Sequence, residues 1–594
     1  MYYVVDIPWG FYKPDTVKYN ATRKVYYYQG DSLPDNLKDL RPPMFSRERW
    51  HEDEMNKKVS LIVPGDSVFH PKPHQSEAGK KIATSYHKGW SGFLLADKTG
   101  VGKTLSALTG IGMIAKLQGK DKDNRGTLLI VCPKSVIPQW RQTIRSFRAS
   151  HPLLRILIIN YQQLQKLLEA PAPVKPVKGK TRTKKTRQVA REGKPLIDFD
   201  YIIFDEAHQL KNYPSSNVSL MAEKIAGLDK VYRKDKSPFV IFSTATPGAS
   251  PLNFAMMGGF LSKLINPKVA KHVGPKLWGA FLMEEGFAVT KGKSLYSWAP
   301  LPWGIKDPSA QEKVSYEKAV KAIKAKQRVD AQRIGKALTR TEAPFIMRSP
   351  KNIAGWPEQQ IVALPIELTP KERAWYEEAW TRFRNWLNLT PAKQDPKGAL
   401  VENLRYRQKT SFLRVDALAE LIVNWVEEDK QVYISLEFLE TLEKLKEALE
   451  KKKIVVAEIS GRTTDTREQE RLKFQKGIAK VAIATVVEGI SLHSGEQLPD
   501  GTTATTAERI TILGDIRQNP LNSLQALGRA HRDGMNSIAY IPYIEDSVDK
   551  KVVDSFINKV INTEVMTGKS VKEAEELEHI FRLAAAKGPA PRGV

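Results

Sequence analysis

Three short stretches hold side chains whose types and spacing could do chemistry on a phosphate. The first, LLADKTGVGKT at 94–104, ends an apolar run in an acid, then sets Gly100 and Gly102 around Val101 ahead of Lys103 and Thr104. Glycines let backbone N–H groups turn towards phosphate oxygens, a lysine neutralises the outer phosphates, and a threonine hydroxyl can ligate Mg²⁺. A helix starting here would add its positive dipole end. The full phosphate-loop pattern has glycine at position 97, where this chain has Asp97. The second stretch is YIIFDEAH at 201–208. Asp205, ending a buried strand, can hold a metal ion, and Glu206 beside it can polarise an attacking water. The third is QALGRAHRDG at 525–534, with Arg529 and Arg532 spaced so that both can face one way on a helix. Alone, such a pair reads as a solvated basic face. Presented across a cleft, it stabilises transition-state charge in phosphoryl transfer.

Those stretches need elements to position them. From about 75 to 265, apolar runs alternate with helical patterns, as a parallel α/β sheet requires. The strands expected there are 127–132, 155–160, 201–206 and 239–244. A second α/β lobe is expected over 360–545, with strands at 431–436, 453–459, 480–485 and 509–513. With the acids in the first lobe and the arginines in the second, nucleotide binding would close a cleft and hydrolysis would open it, which is the cycle of a motor. Residues 1–60 are rich in tyrosine and tryptophan broken by turn residues, and read as a small β domain. Their aromatic rings either fill that core or stack on unpaired bases. The segment 171–195 holds nine Lys or Arg against one Glu and reads as a mobile basic loop. The division expected is 1–60, a first lobe at 61–265, an insertion and bridge at 266–359 with a Lys-rich helix from Gln311 to Arg340, a second lobe at 360–545 and a helical tail at 546–594.

The 594 residues are too many for one core, and 93 Lys plus Arg against 66 Asp plus Glu leave a net charge of +27. That excess favours a polyanionic partner, nucleic acid before an acidic membrane surface. Cys132 is the single cysteine, which excludes an intrachain disulfide and a cysteine-built zinc site. No run approaches the ~18 apolar residues of a membrane span, and the N-terminus has no secretory pattern. A cytoplasmic or nuclear setting is expected.

In this order the stretches resemble superfamily 2 helicases, and within them the SNF2-like ATP-dependent DNA translocases. LLADKTGVGKT is similar to motif I, LLIVCPKSVIPQW (128–140) to motif Ia, DEAHQLKN (205–212) to motif II, STATPGASPLN (243–253) to motif III, ISGRTTDTREQERLKFQ (459–475) to motif IVa, ATVVEGISL (484–492) to motif V and QALGRAHRDG to motif VI. FIMRSPKNI with LPIELTPKE resembles the bridge between lobes, and IEDSVDKKVVDSFINKV the closing helix. The likeness covers roughly residues 70–560. Lys98-Thr99, Ala245, Gln518 and Met535 depart from the SNF2 pattern, and the compact build is closer to the annealing-helicase and fork-remodeller branch, or a phage or viral relative of it, than to a nucleosome remodeller.

The resemblance implies a fold of two RecA-like parallel-sheet lobes with the small N-terminal β-rich domain and a helical insertion. It implies ATP and Mg²⁺ as cofactors, held by Gln75, Asp97, Thr99, Gly100, Val101, Gly102, Lys103, Thr104 and Leu105, with Gly489 and Gln525 from the second lobe. Thr104 and Asp205 would take the metal, and Lys103, Asp205, Glu206, Arg529 and Arg532 the chemistry. His208 and Thr244 would couple hydrolysis to DNA, which Lys134, Lys211, Thr246, Arg462 and Thr485 would contact mainly at phosphates. The implied activity is a DNA-stimulated ATPase moving on duplex DNA and remodelling forks or branched junctions. A transcription-linked translocase, an RNA helicase and an inactive DNA-binding scaffold are the other readings; the intact chemical residues oppose the scaffold. DNA is the implied partner, with replication, recombination or transcription proteins beyond it, for a monomer that does not engage a membrane.

Overall fold

Runs such as GTLLIVC at 126–132 and YIIFD at 201–205 are apolar at successive positions, which suits a strand covered on both faces. Burying each Val, Leu, Ile or Phe side chain contributes about 1.5–3 kcal/mol, more than the ~1 kcal/mol span of strand propensity, so packing decides the assignment. The computed structural model describes residues 2–5, 15–21, 25–38, 70–98, 100–121, 123–150, 153–169, 190, 193–228, 237–269, 273–292, 295–299, 310–348, 353, 360–387, 396–463, 465–486, 490–496, 498, 502–515, 520–531, 537–544, 562 and 565–568.

Near the N-terminus, β1 (Tyr2–Val5), β2 (Val17–Asn20) and β3 (Val25–Gln29) form an antiparallel sheet in the order β1-β3-β2. Val5, Val17 and Leu37 make its core, with Tyr26 and Tyr28 packed against them. Tyr19 is half exposed, its ring 5.0 Å from that of Tyr26. Trp9, Phe11 and Tyr12 lie outside the described residues.

The first lobe is built on β4 (Gly92–Leu95), β5 (Gly126–Cys132), β6 (Leu154–Asn160), β7 (Tyr201–Asp205) and β8 (Phe239–Ser243). A hairpin of β9 (Val289–Lys291) and β10 (Tyr296–Trp298) follows, and then β11 (Phe345–Ile346). The sheet order is β11-β4-β8-β7-β5-β6, every pairing parallel. Leu94, Leu129, Phe204 and Phe242 point into one core, and Phe93, Leu95, Ile130 and Ile203 into the other. Thus β11, although it lies in the stretch expected to bridge the lobes, is an edge strand of the first sheet. The insertion's helix runs Ala310–Leu338. Its buried Asp330 accepts the Ala288 N–H at 2.8 Å and the Trp298 indole N–H at 2.7 Å, which fastens the hairpin to it.

The second lobe comprises β12 (Ile361–Ile366), β13 (Gln431–Ser435), β14 (Val456–Ile459), β15 (Val481–Ala484), β16 (Arg509–Leu513) and β17 (Ser537–Ile544). These pair in parallel in the order β12-β17-β16-β13-β15-β14. The strand expected from 453 starts only at Val456. Lys453 turns to φ +62° and its N–H donates to Glu450 O at 2.8 Å, closing the preceding helix (Leu439–Lys451). The result is an α/β protein of two parallel-sheet lobes.

Two further segments bear on function. The expected basic loop is pinned at its base: Leu168 bridges Pro195, Glu169 N–H donates to Lys194 O at 2.8 Å, and Ala190 is buried. Residues 170–189 lie outside the described set. Beyond the second lobe, Val565 and Met566 are buried in the core cluster of the first. Among the described residues no helix is long and apolar enough to cross a membrane.

Candidate functional site

Parallel strands deliver their following loops to one edge, and ligands of such sheets bind at the carboxyl ends. The chemically interesting residues follow those ends: the glycine loop after β4, Lys134 after β5, Asp205 at the end of β7, Thr244 and Thr246 after β8, Arg462 after β14 and Thr485 after β15.

In the glycine loop Gly100 and Gly102 have φ +93° and +91°, a region that L side chains rarely adopt. Gly102 begins the helix Lys103–Leu117, and no side chain caps that helix, so its first N–H groups remain for another acceptor. A Cβ at Gly102 would lie 2.2 Å from Gln75 Nε2, so glycine is what lets Gln75 pack on the loop. Gln75 is buried, and its Oε1 accepts the Lys72 N–H at 2.8 Å. His74 Nε2 donates to the Val101 carbonyl at 3.0 Å. Lys103 Nζ donates to the Asp97 carbonyl at 2.9 Å, and Thr104 and Leu105 are half-buried in the first turn. The Asp97 carboxylate does not face a ligand position as expected; it is fully buried and engaged by Arg348.

Asp205 is surrounded by donors. Trp140 Nε1 donates to its Oδ2 at 2.8 Å and Ser243 Oγ to its Oδ1 at 3.1 Å, while Tyr161 Oη donates to its carbonyl at 2.7 Å. Burial, and then the charge of Glu206, push its carboxyl above the usual range, against the two side-chain hydrogen bonds and Lys103. Glu206 takes the left-handed conformation, φ +53°. Burial alone would raise its carboxyl. The hydrogen bond from His208 and the charges of His208, Arg529 and Lys103 outweigh burial and hold it at about 2. Lys103 therefore acts on both carboxylates.

The second lobe reaches this acid directly. Gln525 Nε2 donates to Glu206 Oε2 at 3.1 Å and to Thr246 Oγ1 at 3.4 Å, and Arg529 Nη2 lies 3.9 Å from Glu206 Oε1. Both contacts from the second lobe therefore meet a charged acceptor, the Gln525 bond at hydrogen-bond distance and the arginine as a longer ion pair. Arg529 Nη1 also donates to the Ile490 carbonyl at 3.3 Å. His208 Nδ1 lies 3.3 Å from Thr244 Oγ1 and 3.4 Å from Glu206 Oε2, and Thr244 Oγ1 accepts the Thr246 N–H at 3.2 Å.

Two expectations change here. The helix Pro520–Leu527 ends before Arg529, which sits in the turn beyond it and not on a helical face. Thr246, expected on DNA, is buried in the interlobe cluster. Lys134 is exposed; Lys211 and Thr485 are half-buried, and the Thr485 N–H donates to Ile459 O at 3.1 Å. Arg462 pairs with Glu443, both half exposed. Thr99, Gly489 and Arg532 lie outside the described residues. Reasoning from residue patterns missed the parts played by Tyr161, Ser243 and Arg348. Arg348 lies inside the FIMRSPKNI stretch, which was a usable signal; nothing local marked Tyr161.

An SNF2-related domain matches residues 74–233. The Arabidopsis thaliana protein CHROMATIN REMODELING 19 is 35% identical over 92 residues, 15% of this chain and 12% of that protein. A probable ATP-dependent DNA helicase, CHR23, of the same plant is 29% identical over 164 residues, 27% of this chain and 14% of that protein. The chain thus matches only a small part of these relatives' lengths. The Sulfolobus solfataricus SWI2/SNF2 ATPase core in complex with dsDNA aligns over 88% of this chain and 98% of its own, at 16% identity and a TM-score of 0.29. The first lobe thus carries a match to an SNF2-related domain, and a second parallel-sheet lobe closes on the acids of that lobe.

Proposed function

We propose that this protein is a DNA-dependent ATPase that moves on duplex DNA and remodels forks or branched junctions. The observation that carries the reading is the contact of Gln525 and Arg529, from the second lobe, on Glu206 in the first. Such a site is complete only when the lobes meet, so turnover and lobe movement are one event.

The residues suit ATP with Mg²⁺. A glycine-only turn at Gly102, an uncapped 15-residue helix behind it and Lys103, whose charge is felt by both carboxylates, make a cradle for a polyanion. Thr104 and Asp205 would hold the metal, which would supply charge neutralisation on the phosphates. Glu206, ionised and hydrogen-bonded, orients a water. Arg529 lies where it can stabilise charge built up beside Glu206. Gln525, His208, Thr244 and Thr246 link that position to the loop after β8, through which DNA contact would be sensed.

The net charge of +27 and a relative named as a DNA helicase support nucleic acid as the track. The steady-state ATPase rate against single-stranded, duplex, forked and four-way-junction DNA and RNA tests the reading. Stimulation by duplex-containing DNA is expected, greatest with forks or junctions. Stimulation by RNA alone would overturn it, and equal stimulation by every duplex would remove the junction preference.

A further inference from the structure

Arg348 lies on the segment that leaves the first sheet for the second lobe, outside the chemistry described above. Its side chain is buried and almost fully used. Nε donates to Asp97 Oδ1 at 3.1 Å, Nη2 pairs with Asp97 Oδ2, and Nη1 donates to the His74 carbonyl. Its backbone N–H adds a bond to Asp97 Oδ1 at 2.8 Å, and its carbonyl accepts the Lys98 N–H at 2.9 Å. One residue thereby joins segments 251 and 274 positions away in the chain.

Both segments border the glycine loop. His74 holds the Val101 carbonyl through its ring, and Gln75 packs on Gly102. Asp97 supplies the carbonyl to which Lys103 donates. In the other direction the chain runs from Arg348 to Ile361 of β12, a strand of the second lobe. We propose that Arg348 is a positioning residue: it sets the spacing between the His74–Gln75 and Asp97–Lys98 walls of the nucleotide loop, and passes movement of the second lobe to them. This rests on the nucleotide reading of that loop.

Stability alone does not call for this arrangement, because a buried ion pair exchanged as a pair for uncharged side chains of similar size is often neutral. The geometry does call for it. A planar fork with fixed donors can hold a carboxylate and a carbonyl at once, whereas a lysine ammonium on its flexible stem is a point charge.

The test uses the full chain, comparing wild type with Arg348→Lys and with the double variant Asp97→Asn/Arg348→Met, which leaves no unpaired buried charge. Thermal midpoint, duplex-DNA affinity without nucleotide, and kcat and KM for ATP with DNA are measured for each. A positioning role predicts that the double variant keeps its midpoint and DNA affinity while KM for ATP rises about tenfold or more and kcat changes much less. Arg348→Lys should fall between it and wild type. A double variant with KM within about twofold of wild type would overturn the inference. If the double variant does not fold, an unchanged KM in Arg348→Lys overturns it and a raised one supports it. A wild-type chain without ATP turnover would overturn the nucleotide reading itself, and the inference with it.

Discussion

Glu206 is kept ionised by its neighbours rather than by water. Its folded value of about 2 lies below the ordinary 4.5, so the stabilisation from its charged form is complete above the ordinary value and is lost as pH falls towards 2. Such a carboxylate is a weak proton acceptor but a strong hydrogen-bond acceptor, which suits it to orient a water more than to deprotonate it. Two consequences follow at this residue. The acid limb of a kcat profile between pH 5 and 8 should not belong to Glu206. Glu206→Gln should also lower kcat by about a hundredfold or more, by the same factor at pH 6 and pH 8. A loss that shrank steadily with falling pH would assign the titration to Glu206 and contradict this account.

At the level of elements, the basic segment gives a separable prediction. Its base is closed by the Leu168–Pro195 bridge, and Ala190 is buried, so removal of 174–187 leaves the anchored ends in place. That deletion takes out seven of the segment's nine cations, Lys175, Lys178, Lys180, Arg182, Lys184, Lys185 and Arg187. Duplex affinity should fall most at low salt, and the slope of log affinity against log salt should flatten, read by titration at several ionic strengths. An unchanged slope would make the segment a passive connection. Elements were also what could be read most directly from residue order. Strands such as β7 and β16 announce themselves as short apolar runs, and the Gly100–Thr104 pattern marks the turn that follows β4. The donors around Asp205 were harder to foresee, because Trp140 lies on the helix Ile137–Ser150, Tyr161 begins the turn of helix after β6 and Ser243 ends β8. Arg348 was hidden for the same reason: its partner Asp97 is 251 residues away, and only sheet pairing between β11 and β4 brings them together. Thr246, expected on DNA from the likeness of its stretch to motif III, is buried beside Gln525 of the opposite lobe, a contact that residue order alone does not mark.

For the whole molecule, the lobes are joined by more than the nucleotide site. Leu513, Ala526 and Leu527 of the second lobe share a core with Phe254 and Leu261 of the first, and Val565 and Met566 return to the same core from beyond β17. Met566 is fully buried, so Met566→Ala should destabilise the protein by ~2–5 kcal/mol, measured by urea unfolding. A change below ~0.5 kcal/mol would mean that the C-terminal return is not part of the folded core. The central claim is that catalysis needs both lobes. The most direct test is the steady-state ATPase of Arg529→Ala beside wild type, with saturating duplex DNA, together with ATP affinity measured at equilibrium. The account predicts a fall in kcat of at least about a hundredfold with ATP affinity changed by only a few-fold. Normal hydrolysis by Arg529→Ala would contradict it, and would place the whole reaction within the first lobe.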